Sequence, residues 1–385
     1  MESTGVYWIP LFQILEARGF QVLLVNARPV KNLPGRKTDV ADCQWLQQLH
    51  TFGLLRGSFR PADAVCALRS YLRYRDSLVR DAHTQIHRMQ KALQQMNVQL
   101  HHVLSDITGV SGMAILRAIV AGERDPVQLA QLKHRQVQSS TETIAQALQG
   151  DYRPEHLFAL RTALELYDFL QLKLIACDAE ITQPLATFES KTSVSATSVP
   201  ERKARPRSAA GQAAEQLRQR LEEMTGLDLT KVPGLGLQAV QNLIAEIGLE
   251  MDRWPSEKHF ASWLGVSPGT RISGGKALPS KPRRTPNRAA NILRLAAQSA
   301  MQSKTAIGAY IRRLRARLGS PTAINAGAHK LARLIYHMLK TRHPYQELGA
   351  DHYDWRYRDR VLSNLQRRAS DLGFRLTPDS AVVVS

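Results

Sequence analysis

"TKVPGLGLQAVQNLIAEIGLE", residues 230–250, sets a proline and two closely spaced glycines in front of an apolar helix. Val232-Pro233-Gly234-Leu235-Gly236 reads as the turn of a helix-hairpin-helix. Such a turn brings backbone N–H groups to a helix N-terminus, which suits a phosphate oxygen. Gly234 and Gly236 are therefore candidate nucleic-acid contacts. A weaker copy, "DITGVSGMAILRAIVAGE" (106–123), lacks the proline and has its second glycine displaced, so it is expected to be a packing unit only.

Downstream of this hairpin the charge becomes one-sided. Residues 258–346 hold 17 Lys or Arg and no Asp or Glu, in a chain of 385 residues with 52 basic and 33 acidic side chains and a net charge of +19. Such a stretch repels itself unless a polyanion neutralises it, and nucleic acid is the commonest polyanion. Within it, "RISGGKALPSKPRRTPNR" (271–288) gathers Arg271, Lys276, Lys281, Arg283, Arg284 and Arg288 around Ser273-Gly274-Gly275. From the residues alone, Ser273 either closes a glycine turn or attacks a phosphate. Ser267 and Ser280 are the alternatives nearby.

Upstream, "ESKTSVSATSVPERKARPRSAAG" (189–211) has the Ser, Thr, Arg and Pro content of a flexible linker. Before it run two heptad seams. Leu68, Leu72, Arg75, Val79, Ala82, Ile86, Met89, Leu93, Met96 and Leu100 form the first, interrupted only at Arg75. Ala163, Tyr167, Leu170, Leu174, Cys177 and Ile181 form the second. They predict either two core helices of a bundle or an antiparallel coiled-coil arm that also dimerises.

The N-terminal part alternates differently. Residues 9–18 predict a short amphipathic helix ended by Gly19, and "FQVLLVN" (20–26) a strand. "KTDVADCQWLQQLH" (37–50) predicts a helix capped by Thr38, so the order is that of an α/β layer. Asp39 and Asp42, three apart, share a helix face and can both reach one hard cation such as Mg²⁺, with Lys37 beside them to favour a phosphate. Glu2, the strand and the DxxD helix follow the order in which RNase H-like two-metal sites gather their acids.

The remaining composition excludes other classes. No run approaches the ~18 apolar residues of a membrane span, and the first residues carry no secretory pattern. Cys43, Cys66 and Cys177 are far apart, without a CxxC, so a reduced, cytoplasmic setting without zinc is expected.

"MESTGVYW", the segment from Val25 to Phe59, and "VPGLGLQAVQNLIAEIG…FASWLGVSPGTRISGGK…RAANILRLAAQSA…HKLARLIYHMLK" together resemble the DEDD-motif insertion-sequence transposases. This is the insertion-sequence family numbered one-hundred-ten, related to the Piv-type DNA invertases. The resemblance runs from residue 1 to about 346. It implies a fold that is α/β plus mostly α. Residues 1–60 would be a partial RuvC/RNase H-like domain, 61–187 a coiled-coil arm with a central hairpin, and 188–212 a linker. Residues 213–346 would be a basic helical transposase domain with the helix-hairpin-helix, and 347–385 a tail. It further implies that Glu2, Asp39 and Asp42 bind Mg²⁺ and that Ser273 is the nucleophile, forming a phosphoseryl link to DNA. A bridge RNA as guide and a homo-oligomer, dimer or tetramer, are implied as partners.

The family's first aspartate lies upstream of its glutamate, which here is residue 2. The expectation is therefore that this acid and its strand either lie upstream of Met1 or have been lost, and that the metal site is disabled as the chain stands. Two other readings accompany the recombinase: an inactive remnant that only binds nucleic acid, and a metal-dependent nuclease of the junction-resolvase kind in which Ser273 is incidental.

Overall fold

The computed structural model describes residues 1–3, 5–26, 38–188, 209–269, 271–278 and 287–377. The chain divides into two compact units, residues 1–66 and 67–385. Among the described residues it is mostly helical, and its only ladder is one short hairpin.

In the first unit, α1 (Trp8–Ala17) buries Phe12 and stops where Gly19 takes a φ of 80°. Arg60 stands over the Phe12 ring at 4.7 Å and reaches Glu16 at 3.6 Å. Helix α2 (Asp39–Thr51) begins at Thr38, whose hydroxyl accepts the Ala41 N–H at 3.2 Å, the cap read from the sequence. The strand expected at 20–26 is reduced to a single residue. Val25 bridges Glu2 in parallel and Gly57 in antiparallel fashion, with Val25 N donating to Met1 O at 2.9 Å and Ser3 N to Val25 O at 2.8 Å. A strand gains its stability from partners along its length. Here the bridges fall at Val25 alone, flanked by single bonds from Met1 N to Leu23 O at 2.9 Å and from Ser58 N to Leu24 O at 2.6 Å, so the expected α/β layer contains no ladder among the described residues.

The first heptad seam lies on α3 (Asp63–Gln95), which at 1.5 Å per residue is ~50 Å long. Leu68, Leu72, Ala82, Met89, Leu93 and Met96 are buried along it. The helix ends before Asn97, a non-glycine residue at φ 56°, and Leu100 opens the separate short α4 (Leu100–Val103). The single helix expected through Leu100 is thus two. The second seam lies on α8 (Pro154–Ala186). Cys177 Sγ lies 3.9 Å from Tyr71 O near one end of the pair, while Met89, Leu93 and Met96 share a core with Leu160, Ala163 and Leu164 near the other. The two helices therefore run antiparallel within one chain. Arg75, the break in the seam, pairs with Asp178 on α8 through Nη2–Oδ2 at 3.1 Å.

Between them, α5 (Val110–Ala121), α6 (Pro126–Gln131) and α7 (Thr141–Ala147) close the core. Gly109 caps α5, and a β-carbon on Gly112 would stand 2.2 Å from Ile107 O. That close approach gives the weaker glycine copy the packing role expected of it.

The C-terminal part comprises α9 (Ala209–Thr225), α10 (Leu237–Ile247), α11 (Glu257–Leu264), the strands β1 (Arg271–Ser273) and β2 (Lys276–Leu278), α12 (Arg288–Ala300), α13 (Ala306–Leu318), α14 (Ser320–Thr341) and α15 (Gly349–Asp371). Helix α14 is the central beam, packed by α11, α12 and α13. Its Gly327 lets Ile311 and Ala297 approach to less than 3 Å from where a β-carbon would sit. Trp254, Phe260, Trp263 and Tyr336 form an aromatic cluster over α11, and Tyr336 OH donates to Trp254 O at 2.8 Å. Residues 349–371, read as tail from the sequence, form a helix that lies on α13.

Candidate nucleic-acid interface

The Ser273 segment folds as a β-hairpin, an element the sequence reading did not anticipate. Strand β1 pairs antiparallel with β2, Ser273 opposite Lys276, and Gly274 and Gly275 turn the chain at φ 54° and 73°. Two successive residues of positive φ define the tight hairpin turn whose twist matches the strands, and glycine is the residue that takes it without strain. Ser273, Gly274, Gly275 and Lys276 are all exposed, and no atom lies within 4 Å of a β-carbon built on either glycine. Ser273 therefore stands on an open turn, and its cross-strand neighbour is an ammonium on the same face. Closing a turn and being available to a phosphate are compatible roles here. Arg271 heads β1, while Lys37, Ser280, Lys281, Arg283 and Arg284 lie outside the described residues.

The glycine turn at 232–236 is built in the opposite way. Asp228, 3% exposed at its side chain, caps the 3-10 turn Leu229–Lys231 by accepting the Thr230 N–H at 3.0 Å, and it pairs with Arg218 of α9. Burial raises the affinity of that carboxyl for a proton. The Arg218 guanidinium and the Thr230 hydroxyl outweigh burial and hold it below the usual carboxylate range. Gly234, at φ 85°, lies so close to α12 that a β-carbon would meet Ala296 O at 2.0 Å. Gly236 caps α10, is exposed, and has open space around it. The first N–H groups of any helix have no intrahelical acceptor, so this N-terminus presents donors to solvent while Gly234 holds the turn in place.

Beside these elements, α3, α10 and α12 enclose a cleft of about 460 Å³ lined by Arg69, Arg73, Arg80, Arg288, Asn242 and Asn291. Arg73 grips Glu246 through both oxygens at 2.9 and 2.8 Å, and Arg69 donates to the carbonyls of Ala245 and Glu246 at the end of α10. Arg288 reaches Asp76 at 3.4 Å. These arginines tie α3 to the C-terminal helices. The reading from sequence passed over Arg69, Arg73 and Arg80, although their spacing of four and seven places them on one helix face.

The acids are exposed at the start of α2, Asp39 and Asp42 in its first turn. This pair offers two oxygen donors on one face, the hard-ligand chemistry that Mg²⁺ accepts. Glu2 is partly buried and tied by its backbone to Val25. No three His, Cys, Asp or Glu side chains gather at metal-ligand spacing among the described residues. The pair fits a cation; the trio is not assembled. No helix among the described residues is long and apolar enough to cross a membrane.

Comparison with known families agrees with the motif order. The model for the DEDD transposase of the IS110 type matches residues 1–98, and the model for the transposase family IS116/IS110/IS902 matches residues 228–312. The two segments include the DxxD helix, the glycine turn and the Ser273 hairpin, and they define a transposase. The chain belongs to the IS110 family of transposases. No curated protein matches it.

Proposed function

We propose that this transposase cuts and rejoins DNA with Ser273 as nucleophile. The observation that carries the reading is the placement of Ser273 on an open Gly274–Gly275 turn, opposite Lys276, within a matched transposase segment. In the proposed step Ser273 Oγ bonds to a DNA phosphorus, a P–O bond to deoxyribose breaks, and the departing oxygen takes up a proton. The serine proton passes to solvent or a base. Lys276 offsets charge on the phosphate as it becomes pentavalent, and Arg271, Lys281, Arg283, Arg284 and Arg288 hold the flanking backbone. Gly236, on the turn fixed by Gly234, offers N–H donors at the start of α10 in the manner of a helix-hairpin-helix. Asp39 and Asp42 would hold Mg²⁺, which polarises the phosphate when bound, while Glu2, expected as a third acid, does not gather with them. Lys37 favours entry of a phosphate beside them. A guide RNA is a second polyanion for the same basic domain.

A homo-oligomer is supported by α8. Its inner seam is buried within the chain, but Phe158, Phe169 and Leu172 are 70%, 53% and 66% exposed on the far side. With Thr162, Glu165, Ala176 and Ala179 they repeat at alternating steps of four and three, the spacing of a second heptad seam.

The deciding experiment incubates the chain, as it stands and extended by an upstream strand carrying an aspartate, with labelled DNA carrying its insertion ends, guide RNA and Mg²⁺, and looks for protein-linked DNA on denaturing gels. Ser273→Ala is expected to abolish the adduct while binding persists. An adduct on the Ala variant moves the nucleophile elsewhere, with Ser280 next. Metal-dependent cleavage without any adduct selects the nuclease reading, and binding with neither selects the remnant.

A further inference from the structure

Largely beyond residue 312, with only Tyr310 inside a matched segment, the chain builds a second basic surface. Lys330 of α14 places Nζ 4.4 Å from the Tyr310 ring centroid of α13 and 5.8 Å from that of Tyr353 of α15. Tyr353 in turn meets Tyr310 edge-on at 6.1 Å. Three residues past Tyr353 begins a row of arginines: Arg356, Arg360 and Arg367 fall on one face of α15 at intervals of four and seven. Alongside, Arg313 stacks 3.5 Å over Tyr357 and pairs with Asp354 at 3.2 Å, and one of its terminal nitrogens is buried without a partner. Arg333 is committed to Glu257. Lys330, Arg356 and Arg360 have no carboxylate partner among the described residues. The crowding around Lys330, then Arg360, Arg333 and Arg356, hold its ammonium below the ordinary lysine range.

Cations that repel one another and are held together by tyrosine rings and helix register are relieved by an anion between them. The arginine row runs ~16 Å along α15 at 1.5 Å per residue, longer than a single phosphate needs. We propose that the surface where α13, α14 and α15 meet, centred on Lys330, Arg356 and Arg360, binds the phosphodiester backbone of a nucleic acid. The proposal rests on the nucleic-acid reading of the basic domain and adds a contact separate from the Ser273 hairpin. DNA and guide RNA share the chemistry, so the test carries both.

The test measures binding of the full chain to a 30-base-pair duplex DNA and to a structured RNA hairpin by fluorescence anisotropy across a salt series. The variant is Lys330→Gln/Arg356→Gln/Arg360→Gln; Lys91→Gln/Arg135→Gln/Arg161→Gln, at exposed positions outside α13, α14 and α15, removes the same charge as a control. Each lost phosphate contact lowers the log–log salt slope by about 0.9 on duplex DNA. Loss of two or three contacts is therefore expected to reduce the slope by about 2–3 and to weaken binding at least tenfold at low salt, the control changing little. Reduction on the DNA arm alone assigns the surface to DNA, and on the RNA arm alone to the guide. A steep wild-type slope that the variant shares overturns this proposal and leaves the hairpin reading standing; a flat wild-type slope overturns both. Loss of binding only to phosphatidylserine vesicles overturns it in favour of a membrane. Arg356→Gln/Arg360→Gln, two exposed helix positions, repeats the measurement if circular dichroism shows the triple variant misfolded.

Discussion

Gly234 and Gly275 both take a positive φ, 85° and 73°, within the same helical unit, yet their surroundings are opposite. Gly234 is pressed against the backbone of α12 and is braced from behind by Asp228 and Arg218. Gly275 turns a hairpin with nothing near it. One glycine exists so that two helices can touch; the other exists so that a serine can stand clear of them. Glycine-rich stretches in this chain thus divide into joints of the scaffold and presenters of chemistry, and substitutions should separate the two.

The largest effect is expected at the joint. Gly234→Ala adds a β-carbon onto Ala296 O and forces alanine to a left-handed backbone, which together cost roughly 3 kcal/mol or more. Denaturant unfolding checks it, and a loss below 1 kcal/mol would mean the turn can move away from α12.

Next comes the brace. Asp228→Asn removes a buried charge and strands Arg218, for an expected loss of about 1–3 kcal/mol. The same carboxylate, with Glu257 held low by Arg333 and His337, fixes the acid response. Both folded-state values lie below the unfolded ones, so their stabilisation is present above the unfolded pKa of about 4 and is lost as pH falls through the folded value. Urea midpoints measured from pH 6 to pH 3 should fall at the acid end, and Asp228→Asn should flatten that fall.

At the presenting turn the balance reverses. Gly275→Ala costs only about 1–2 kcal/mol of local backbone strain in an exposed hairpin, because no neighbour is displaced. Adduct formation should fall more than tenfold while the unfolding midpoint shifts little. Equal losses in both would place the hairpin in the scaffold.

Smallest of all in stability are Asp39→Ala and Asp42→Ala. Each removes an exposed carboxylate from the first turn of α2, worth about 0.3–1 kcal/mol through the helix dipole. Isothermal titration of Mg²⁺ should show weaker binding in either variant, and unchanged binding would remove the pair from the metal reading.

Much of this was legible in the chain. Thr38 announced the start of α2, Gly19 the end of α1, and the alternation of leucines and methionines the long helix α3, because caps and periodicity are local properties. Other features were not legible. Val25 sits in a run with every mark of a strand, but a ladder needs partners along its length, and those are set by chain far away. The break at Asn97 lies inside a pattern that continues to Leu100, since spacing records which side is apolar and not where the helix stops. The β-hairpin at 271–278 is too short, at three residues a strand, to show alternation.

The family, the basic character of residues 258–346 and the candidates Asp39, Asp42 and Ser273 can be read without a fold, because each is written in residue type and order. Which glycine is a joint, that Arg75 answers Asp178 rather than interrupting a seam, and that Lys330 meets Tyr353 of α15 emerge only once the chain is folded. These are contacts between residues tens to more than a hundred positions apart, and their energy depends on distances that only the folded chain fixes.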